Sequence, residues 1–210
     1  EIAIAVREGG GDPNYNSRLR LAMQNAKTAN MPKANVENAI KKALSKDAES
    51  YDEVVYEGYA PHGVAVMVET ATNNTNRTVA NVRHVFSKYG GSLGTSGSVE
   101  FMFSRKGVFK IKSEGLDPEE LELELIDFGL EELKREDDTL VLYSDFADFG
   151  SLQKALEERN IEVESAELVR LPTHTKELSD EEVEDVIKLI EKMEEDEDVI
   201  NIFHNMDMGE

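Results

Sequence analysis

Cationic side chains that could bind phosphate groups are concentrated in the first 46 residues of the chain. That segment contains eight Lys and Arg and four Asp and Glu, whereas the remaining 164 residues contain 15 basic and 40 acidic residues. The net charges of the two parts are therefore +4 and −25. The candidate phosphate-binding side chains are Arg7, Arg18, Arg20, Lys27, Lys33, Lys41 and Lys42. Surface lysines and arginines often serve only solubility, but this charge contrast favours a polyanion as the partner of the segment.

A second candidate site is the loop TNNTNRT at residues 72–78, which precedes a predicted helix. The side chains of Asn73, Asn74, Asn76 and Arg77 could hydrogen-bond the phosphates, sugar hydroxyls or base edges of a nucleic acid. The simpler interpretation of the loop by itself is that Thr72 or Asn74 caps the helix while the other side chains are solvated.

No catalytic or metal site is predicted. The glycine-rich run GGSLGTSG at residues 90–97 follows a predicted helix, opens a strand and lacks the Lys of a phosphate-binding loop. We interpret it as a flexible connection whose backbone N–H groups could still meet a phosphate. The chain has no Cys, and its histidines lack a metal-ligand partner at short spacing; they are His62, His84, His174 and His204. We therefore expect no enzymatic activity, no metal and no other cofactor.

The composition is typical of a globular protein with a hydrophobic core. The chain has 210 residues, 40% of them hydrophobic and 32% charged, and a net charge of −21. No apolar run reaches the ~18 residues of a membrane span, and the absence of Cys and of a signal peptide is typical of a cytoplasmic protein. The chain starts at Glu1, without Met, inside a helical pattern, so we expect it to be shortened at its N-terminus.

Three short helices are predicted to position the basic residues of the first segment. Residues 12–14, Asp-Pro-Asn, offer the capping chemistry with which the second helix could begin. In the third helix the apolar residues between 36 and 44 share one face. Asn38, Lys41 and Lys42 lie on the opposite face at the 3.6-residue spacing, so they should be exposed.

The rest of the chain has the element order of two α/β sandwiches. Residues 54–104 read as strand–strand–helix–strand and end on the predicted strand SVEFMF at 98–103. Residues 106–171 read βαββαβ, the order of a ferredoxin-like domain. A last helix, opened by a predicted capping box of Ser179 and Glu182, and a last strand complete the first sandwich.

The predicted fold class is α+β, with a helical N-terminal domain followed by two ferredoxin-like α/β sandwich domains. The basic helical domain comprises residues 1–46, and a discontinuous α/β domain comprises 52–105 plus 172–205. The ferredoxin-like domain at 106–171 is inserted in the second domain. The alternative is that the C-terminal helix packs elsewhere and that no discontinuous domain exists.

Two long stretches of the chain resemble the YebC/PmpR family. They are AVREGGGDPNYNSRLRLAMQNAKTANMPKANVENAIKKA at 5–43 and YEGYAPHGVAVMVETATNNTNRTVANVRHVFSKYGGSLGTSGSVEFMF at 56–103, and VRLPTHTKELS at 169–179 and NIFHNMD at 201–207 add to them. The resemblance implies a three-domain protein without enzymatic activity. It places the basic side chains in the helical domain and residues 73–77 in a TDNxNRT-like loop, here with Asn in place of Asp. The family normally begins with a strongly basic segment that this chain lacks.

The resemblance implies a nucleic-acid-binding regulator of gene expression, and three interpretations stay open. The first is a ribosome- or RNA-associated translation factor, since family members are described as acting on ribosomes that stall at proline-rich stretches. The second is a DNA-binding transcriptional regulator, for which the family is named, although no helix-turn-helix with a recognition helix is recognisable. The third is an enzyme with a site between its domains. No membrane partner and no small-molecule substrate are expected.

Overall fold

The structure is a computed structural model, and it describes residues 1–209 as an α+β protein. The helices are α1 (Ile2–Gly9), α2 (Ser17–Thr28), α3 (Lys33–Leu44), α4 (Thr75–Lys88), α5 (Pro118–Leu125), α6 (Phe149–Glu158) and α7 (Asp180–Glu194). The strands are β1 (Asp52–Tyr59), β2 (Ala65–Thr72), β3 (Ser92–Leu93), β4 (Phe103–Lys112), β5 (Leu130–Glu136), β6 (Thr139–Asp145), β7 (Val163–Pro172) and β8 (Val199–His204). The predicted fold class, with N-terminal helices followed by two antiparallel sheets, is confirmed.

The three N-terminal helices share a small apolar core. Its buried members are Ile2, Ala5, Val6, Leu19, Ala22, Val36 and Ala43. The second helix begins later than the Asp-Pro-Asn capping sequence predicts, because Asn16 is its N-cap. The Asn16 Oδ1 accepts the backbone N–H of Leu19 at 3.0 Å, and its Nδ2 donates to the carbonyls of Ala5 and Gly10 at 2.7 and 2.8 Å. One buried amide thus both caps α2 and ties it to α1.

The first sheet has the strand order β3-β1-β2-β8, and β1, β2 and β8 form its long antiparallel part. Helices α4 and α7 cover one face of it through buried Val82, Phe86, Val186 and Leu189. The opposite face is covered by Val99 and Phe103, which pack with Ala65 and Met67 of β2. The sheet is therefore buried on both sides, which explains the nearly continuous apolar run of β2.

The predicted strand at 98–103 is wrong for most of its length. Residues Glu100–Met102 form a 3₁₀ turn, the third strand of the first sheet is the short β3, and β4 begins only at Phe103. Buried Val99 and Phe103 flank exposed Phe101, an alternation that imitates a strand. The backbone N–H groups of Val99 and Glu100 donate to the side chain of Glu57 instead, so they take no part in a strand ladder.

The second sheet has the order β5-β6-β4-β7, which is the strand order of a ferredoxin-like βαββαβ unit. Helices α5 and α6 pack on it through a core that includes Phe109, Leu125, Leu142 and Leu156. Strand β7 lies at one edge of this sheet, next to β4.

The chain divides into two compact units. One contains Glu1–Ala48 and Arg105–Val169, and the other contains Glu49–Ser104 with the chain from Arg170 onward. The first unit therefore includes both the N-terminal helices and the second sheet. The finer division into three domains stays a prediction.

Candidate nucleic-acid interface

Helix α3 presents a polar face that combines lysines with amides. Its buried Val36 and Ala43 fix which side of the helix faces the core. Asn35, Asn38 and Lys42 follow one another at i, i+3 and i+7 on the opposite side, with Lys41 beside them, and all four are exposed. We call Asn35, Asn38, Lys41 and Lys42 the α3 ridge.

The two lysines of the α3 ridge are unpaired. Within residues 1–209, neither the Lys41 nor the Lys42 side chain forms a hydrogen bond or an ion pair. Their charges lie in the last turn of α3, where the partial negative charge of the helix C-terminus stabilises them. The ridge can thus contact phosphates without first breaking an internal contact.

Other cations of the first segment are engaged by neighbouring groups. Arg18 Nη1 lies 2.7 Å from Glu8 Oε2, and its Nη2 lies 3.4 Å from Glu1 Oε2. Arg7 Nη2 donates to the Ala48 carbonyl at 2.9 Å. Lys33 Nζ lies 3.8 Å from Glu37 Oε1, one turn further along α3, although its side chain is 91% exposed. Each of these charges is partly compensated inside the protein.

Two further cations lie on α2 and face acidic residues of α6 and of the segment between α6 and β7. Arg20 Nε and Nη2 both lie 3.2 Å from Glu157 Oε1, and Arg20 Nη1 donates to the Pro13 carbonyl at 2.7 Å. Lys27 Nζ lies 3.9 Å from Glu162 Oε1. Five of the seven predicted cations therefore have an internal partner. Within the described chain, the two that are unpaired are the lysines of the α3 ridge.

The TNNTNRT loop forms the N-terminal cap of α4. Asn74 Oδ1 accepts the Arg77 backbone N–H at 3.1 Å, and Thr72 Oγ1 accepts that of Asn74 at 2.9 Å. Asn73 Nδ2 donates to Glu49 Oε2 at 2.6 Å. Asn76 is exposed, and its side chain makes no hydrogen bond inside the part of the chain that the structure describes. The capping interpretation of Asn74 is therefore confirmed, and Asn76 is the loop amide that is available to a ligand.

Arg77 forms a two-point ion pair with Asp198, the residue before β8. Arg77 Nη2 lies 2.9 Å from Asp198 Oδ1 and 2.8 Å from Oδ2. The hydroxyls of Thr78 and Thr72 also donate to Asp198 Oδ2, at 2.8 and 3.2 Å. Burial by itself raises the pKa of the Asp198 carboxyl, but the hydrogen bonds from Arg77 and Thr78 outweigh it, so this pKa lies below its ordinary value. Arg77 also has a structural role, although its side chain remains 48% exposed.

The glycine-rich loop is organised around a buried carboxylate. Glu57 of β1 is 3% exposed, and its Oε1 accepts the N–H groups of Val99 at 3.1 Å and Glu100 at 2.7 Å. Its Oε2 accepts the N–H of Gly97 at 2.5 Å. The N–H of Gly97 thus already binds a carboxylate of the protein, which a phosphate would have to displace. No local pattern indicates this partner, because Glu57 lies some 40 residues before the loop.

Among residues 1–209, no group of three or more His, Asp or Glu side chains could hold a metal ion. His62 of the turn before β2 instead contacts two carboxylates of α7, with Nε2 3.0 Å from Asp185 Oδ2 and Nδ1 3.5 Å from Glu182 Oε1. None of the described helices is long and apolar enough to cross a membrane.

Two residues that matter for the site are not predicted from the sequence. Asn35 lies on the same face of α3 as Asn38. Its position three residues before Asn38 in a predicted helix indicates this shared face. Asp198 ends the acidic run at residues 194–198, a sequence that is typical of a solvated helix end, whereas it is buried against Arg77. Only its place at the start of a strand distinguished it from the exposed acids around it.

Comparison with known proteins identifies the family. Residues 1–46 match the TACO1/YebC protein N-terminal domain, and residues 51–206 match the TACO1/YebC second and third domain. A probable transcriptional regulatory protein of Flavobacterium psychrophilum is 56% identical over 206 residues, which cover 98% of this chain and 87% of that protein. A protein with the same description from Parabacteroides distasonis is 58% identical over 207 residues, which cover 98% and 85%.

A solved structure has the same fold. The crystal structure of a conserved hypothetical protein from Aquifex aeolicus matches with a TM-score of 0.82 and 40% sequence identity, over 100% of this chain and 87% of that one. The resemblance to the YebC/PmpR family is thus confirmed over nearly the whole sequence. The chain belongs to the TACO1/YebC family.

Proposed function

We propose that the protein is a non-enzymatic regulator of gene expression that binds RNA, in the first place ribosomal RNA, through the α3 ridge. The observation that carries this proposal is the pair of unpaired lysines beside two exposed amides on one helix face. Lysines supply sequence-independent attraction to phosphates, and amides can hydrogen-bond unstacked bases and sugar hydroxyls. The relatives' description as probable transcriptional regulatory proteins supports a regulatory role.

The size of the α3 ridge favours a structured RNA surface over bare duplex DNA. Two neutralised phosphates give a slope of only about 1.4 to 1.8 in log K against log salt. So small an electrostatic contribution binds a free duplex weakly at physiological salt, particularly when the other 164 residues carry a charge of −25. A folded RNA such as the ribosome can add shape complementarity to this small patch.

The family resemblance extends the proposal to a specific activity. We propose a translation factor that acts on ribosomes stalled at proline-rich stretches. The loop residues Asn73, Asn74, Asn76 and Arg77 form a proposed second contact, in which Asn76 is the first candidate. The other cations, Arg7, Arg18, Arg20, Lys27 and Lys33, are proposed to contribute only where a ligand displaces their internal partners.

Co-sedimentation with purified ribosomes tests the proposal. Lys41→Gln/Lys42→Gln should lose most of the ribosome-bound fraction. Lys154→Gln/Lys188→Gln is the matched control, since it removes the same charge from α6 and α7, where both lysines already pair with an acid. Equal sedimentation of the two variants would contradict the proposal.

The alternative is a DNA-binding transcriptional regulator, which the relatives' names favour. A mobility shift separates the two functions. Preferential binding of one promoter fragment over its scrambled version, retained at 200 mM salt, would support the alternative. Equal binding of both DNA fragments, weaker than binding of ribosomal RNA, is the result that our proposal predicts.

A further inference from the structure

A side-chain amide of helix α2 makes the backbone hydrogen bonds that a neighbouring strand would make at one edge of the second sheet. Strand β7 lies at the edge of that sheet. Asn25 Nδ2 donates to the Ala166 carbonyl at 2.9 Å, and the Ala166 N–H donates to Asn25 Oδ1 at 3.0 Å. An unpaired edge strand presents such groups to other chains, and here the reciprocal pair satisfies one N–H and one carbonyl of the edge.

The contact continues along α2 in both directions. The hydroxyl of Thr28 donates to the Glu164 carbonyl, two residues before Ala166 on the same edge. Leu21 packs against the core of the second sheet. Arg20 and Lys27 meet Glu157 and Glu162, as described above. We call this set of interactions the α2 docking contact; its members are Arg20, Leu21, Asn25, Lys27 and Thr28 on α2 and Glu157, Glu162, Glu164 and Ala166 opposite them.

The two ion pairs of the α2 docking contact are exposed enough for another anion to replace Glu157 and Glu162. The side chains of Arg20 and Glu157 are 40% and 44% exposed, and those of Lys27 and Glu162 are both 76% exposed. Ion pairs that are this exposed stabilise a structure little and weaken further with salt. Each carboxylate also occupies one of the positions from which a phosphate could bind the same cation. A polyanion therefore competes directly with Glu157 and Glu162.

We propose that the α2 docking contact is autoinhibitory: the side chains of Glu157 and Glu162 occupy Arg20 and Lys27 and withhold them from RNA. The inference rests on the proposed function. In the docked state Arg20 and Lys27 are paired with acids, and RNA is bound by the α3 ridge without them, which gives weak binding. Opening of the contact adds Arg20 and Lys27 to the basic surface, so tight binding requires undocking.

The test compares variants that open the contact with a charge-matched control, using deproteinised ribosomal RNA as the probe. Glu157→Gln/Glu162→Gln removes both competing carboxylates and keeps Arg20 and Lys27. Glu120→Gln/Glu122→Gln makes the same change of charge on α5, where both side chains are exposed and make no described contact. Asn25→Ala removes both hydrogen bonds to Ala166 without any change of charge, and we expect it to open the contact. If Asn25→Ala folds poorly, Thr28→Val takes its place, because it removes only the exposed hydroxyl that donates to the Glu164 carbonyl.

The expected gain follows from the docked population. If about nine molecules in ten are docked, opening the contact strengthens RNA binding about tenfold. Two additional phosphate contacts raise the salt slope by about 1.4. Glu157→Gln/Glu162→Gln and Asn25→Ala should both bind more tightly than the Glu120→Gln/Glu122→Gln control. Equal affinities of these variants and the control would overturn the inference while leaving RNA binding itself intact.

Hydrogen exchange provides a readout that does not depend on affinity. The Ala166 amide is protected by Asn25, so it should exchange faster in Asn25→Ala and also in the wild-type protein when RNA is added. An Ala166 amide that stays protected in the RNA complex would show that binding does not open the contact, and it would refute autoinhibition. If no variant binds ribosomal RNA at any salt concentration, the proposed function fails and the inference fails with it.

Discussion

Arg77 holds both carboxylate oxygens of Asp198 across 121 residues of sequence, with Nη2 at 2.9 Å from Oδ1 and 2.8 Å from Oδ2. The pair joins the first turn of α4 to the residue that precedes β8. It therefore connects the two chain segments from which this compact unit is built. A residue of a candidate nucleic-acid loop thus also stabilises the fold, and its substitution would change stability as well as binding.

We predict that Asp198→Asn lowers the free energy of unfolding at pH 7 by about 1–3 kcal/mol, the range for charge-assisted hydrogen bonds. The amide cannot accept from Arg77, Thr72 and Thr78 as the carboxylate does. Chemical denaturation measures the change. Glu197→Gln is the control, since Glu197 is exposed and its side chain makes no contact among the described residues. Equal stability of the two variants would show that the ion pair contributes nothing.

The Arg77–Asp198 pair also predicts how the free energy of unfolding changes in acid. Because the pKa of the Asp198 carboxyl is lower in the folded protein than in the unfolded chain, its contribution is complete above the unfolded pKa of about 3.9. It is lost as the pH falls toward the folded pKa. The difference in stability between wild type and Asp198→Asn should therefore be constant from pH 5 to 7 and shrink below about pH 4. A difference that grows in acid would contradict this account.

The buried carboxylate of Glu57 is expected to hold the glycine-rich loop in place. Glu57→Ala leaves the N–H groups of Gly97, Val99 and Glu100 without their acceptor, so we expect a loss of about 2–4 kcal/mol. Hydrogen exchange at these three amides should accelerate together. Glu100→Ala tests specificity, because it removes an exposed side chain and keeps the backbone N–H that Glu57 binds. Unchanged exchange in Glu57→Ala would rule out the proposed anchor.

His204 predicts a second pH effect. Its Nδ1 accepts the Met206 N–H at 3.1 Å, and burial lowers the pKa of the imidazole. As the pH falls, the unfolded chain therefore binds a proton at His204 at a higher pH than the folded protein does. The contribution of neutral His204 to the free energy of unfolding is complete above about pH 6.5 and is lost as the pH falls below that value. The slope is at most about 1.4 kcal/mol per pH unit. His204→Asn should flatten the loss of stability between pH 7 and 5.5, whereas His84→Asn, at an exposed position, should leave it unchanged.

The sequence predicted the parts of the fold that depend on local patterns. The period of apolar residues located β1, β2 and α4, and the capping box of Ser179 and Glu182 marked the start of α7, as the structure confirms. The strand at 98–103 was wrong because a distant carboxylate takes its N–H groups. For the site, the exposed face of α3 followed from periodicity. The partners of Arg20, Lys27 and Arg77 lie more than 100 residues away, and no local pattern reports such pairings.

The lysines of the α3 ridge are proposed to bind RNA phosphates. A salt titration from 50 to 200 mM measures the affinity for ribosomal RNA of the wild type, of Lys41→Gln/Lys42→Gln and of the Lys154→Gln/Lys188→Gln control. We predict that the Lys41→Gln/Lys42→Gln variant binds more weakly and that its slope in log K against log salt falls by about 1.4 to 1.8, while the control keeps the wild-type slope. Identical slopes for the two variants would show that Lys41 and Lys42 do not bind RNA phosphates.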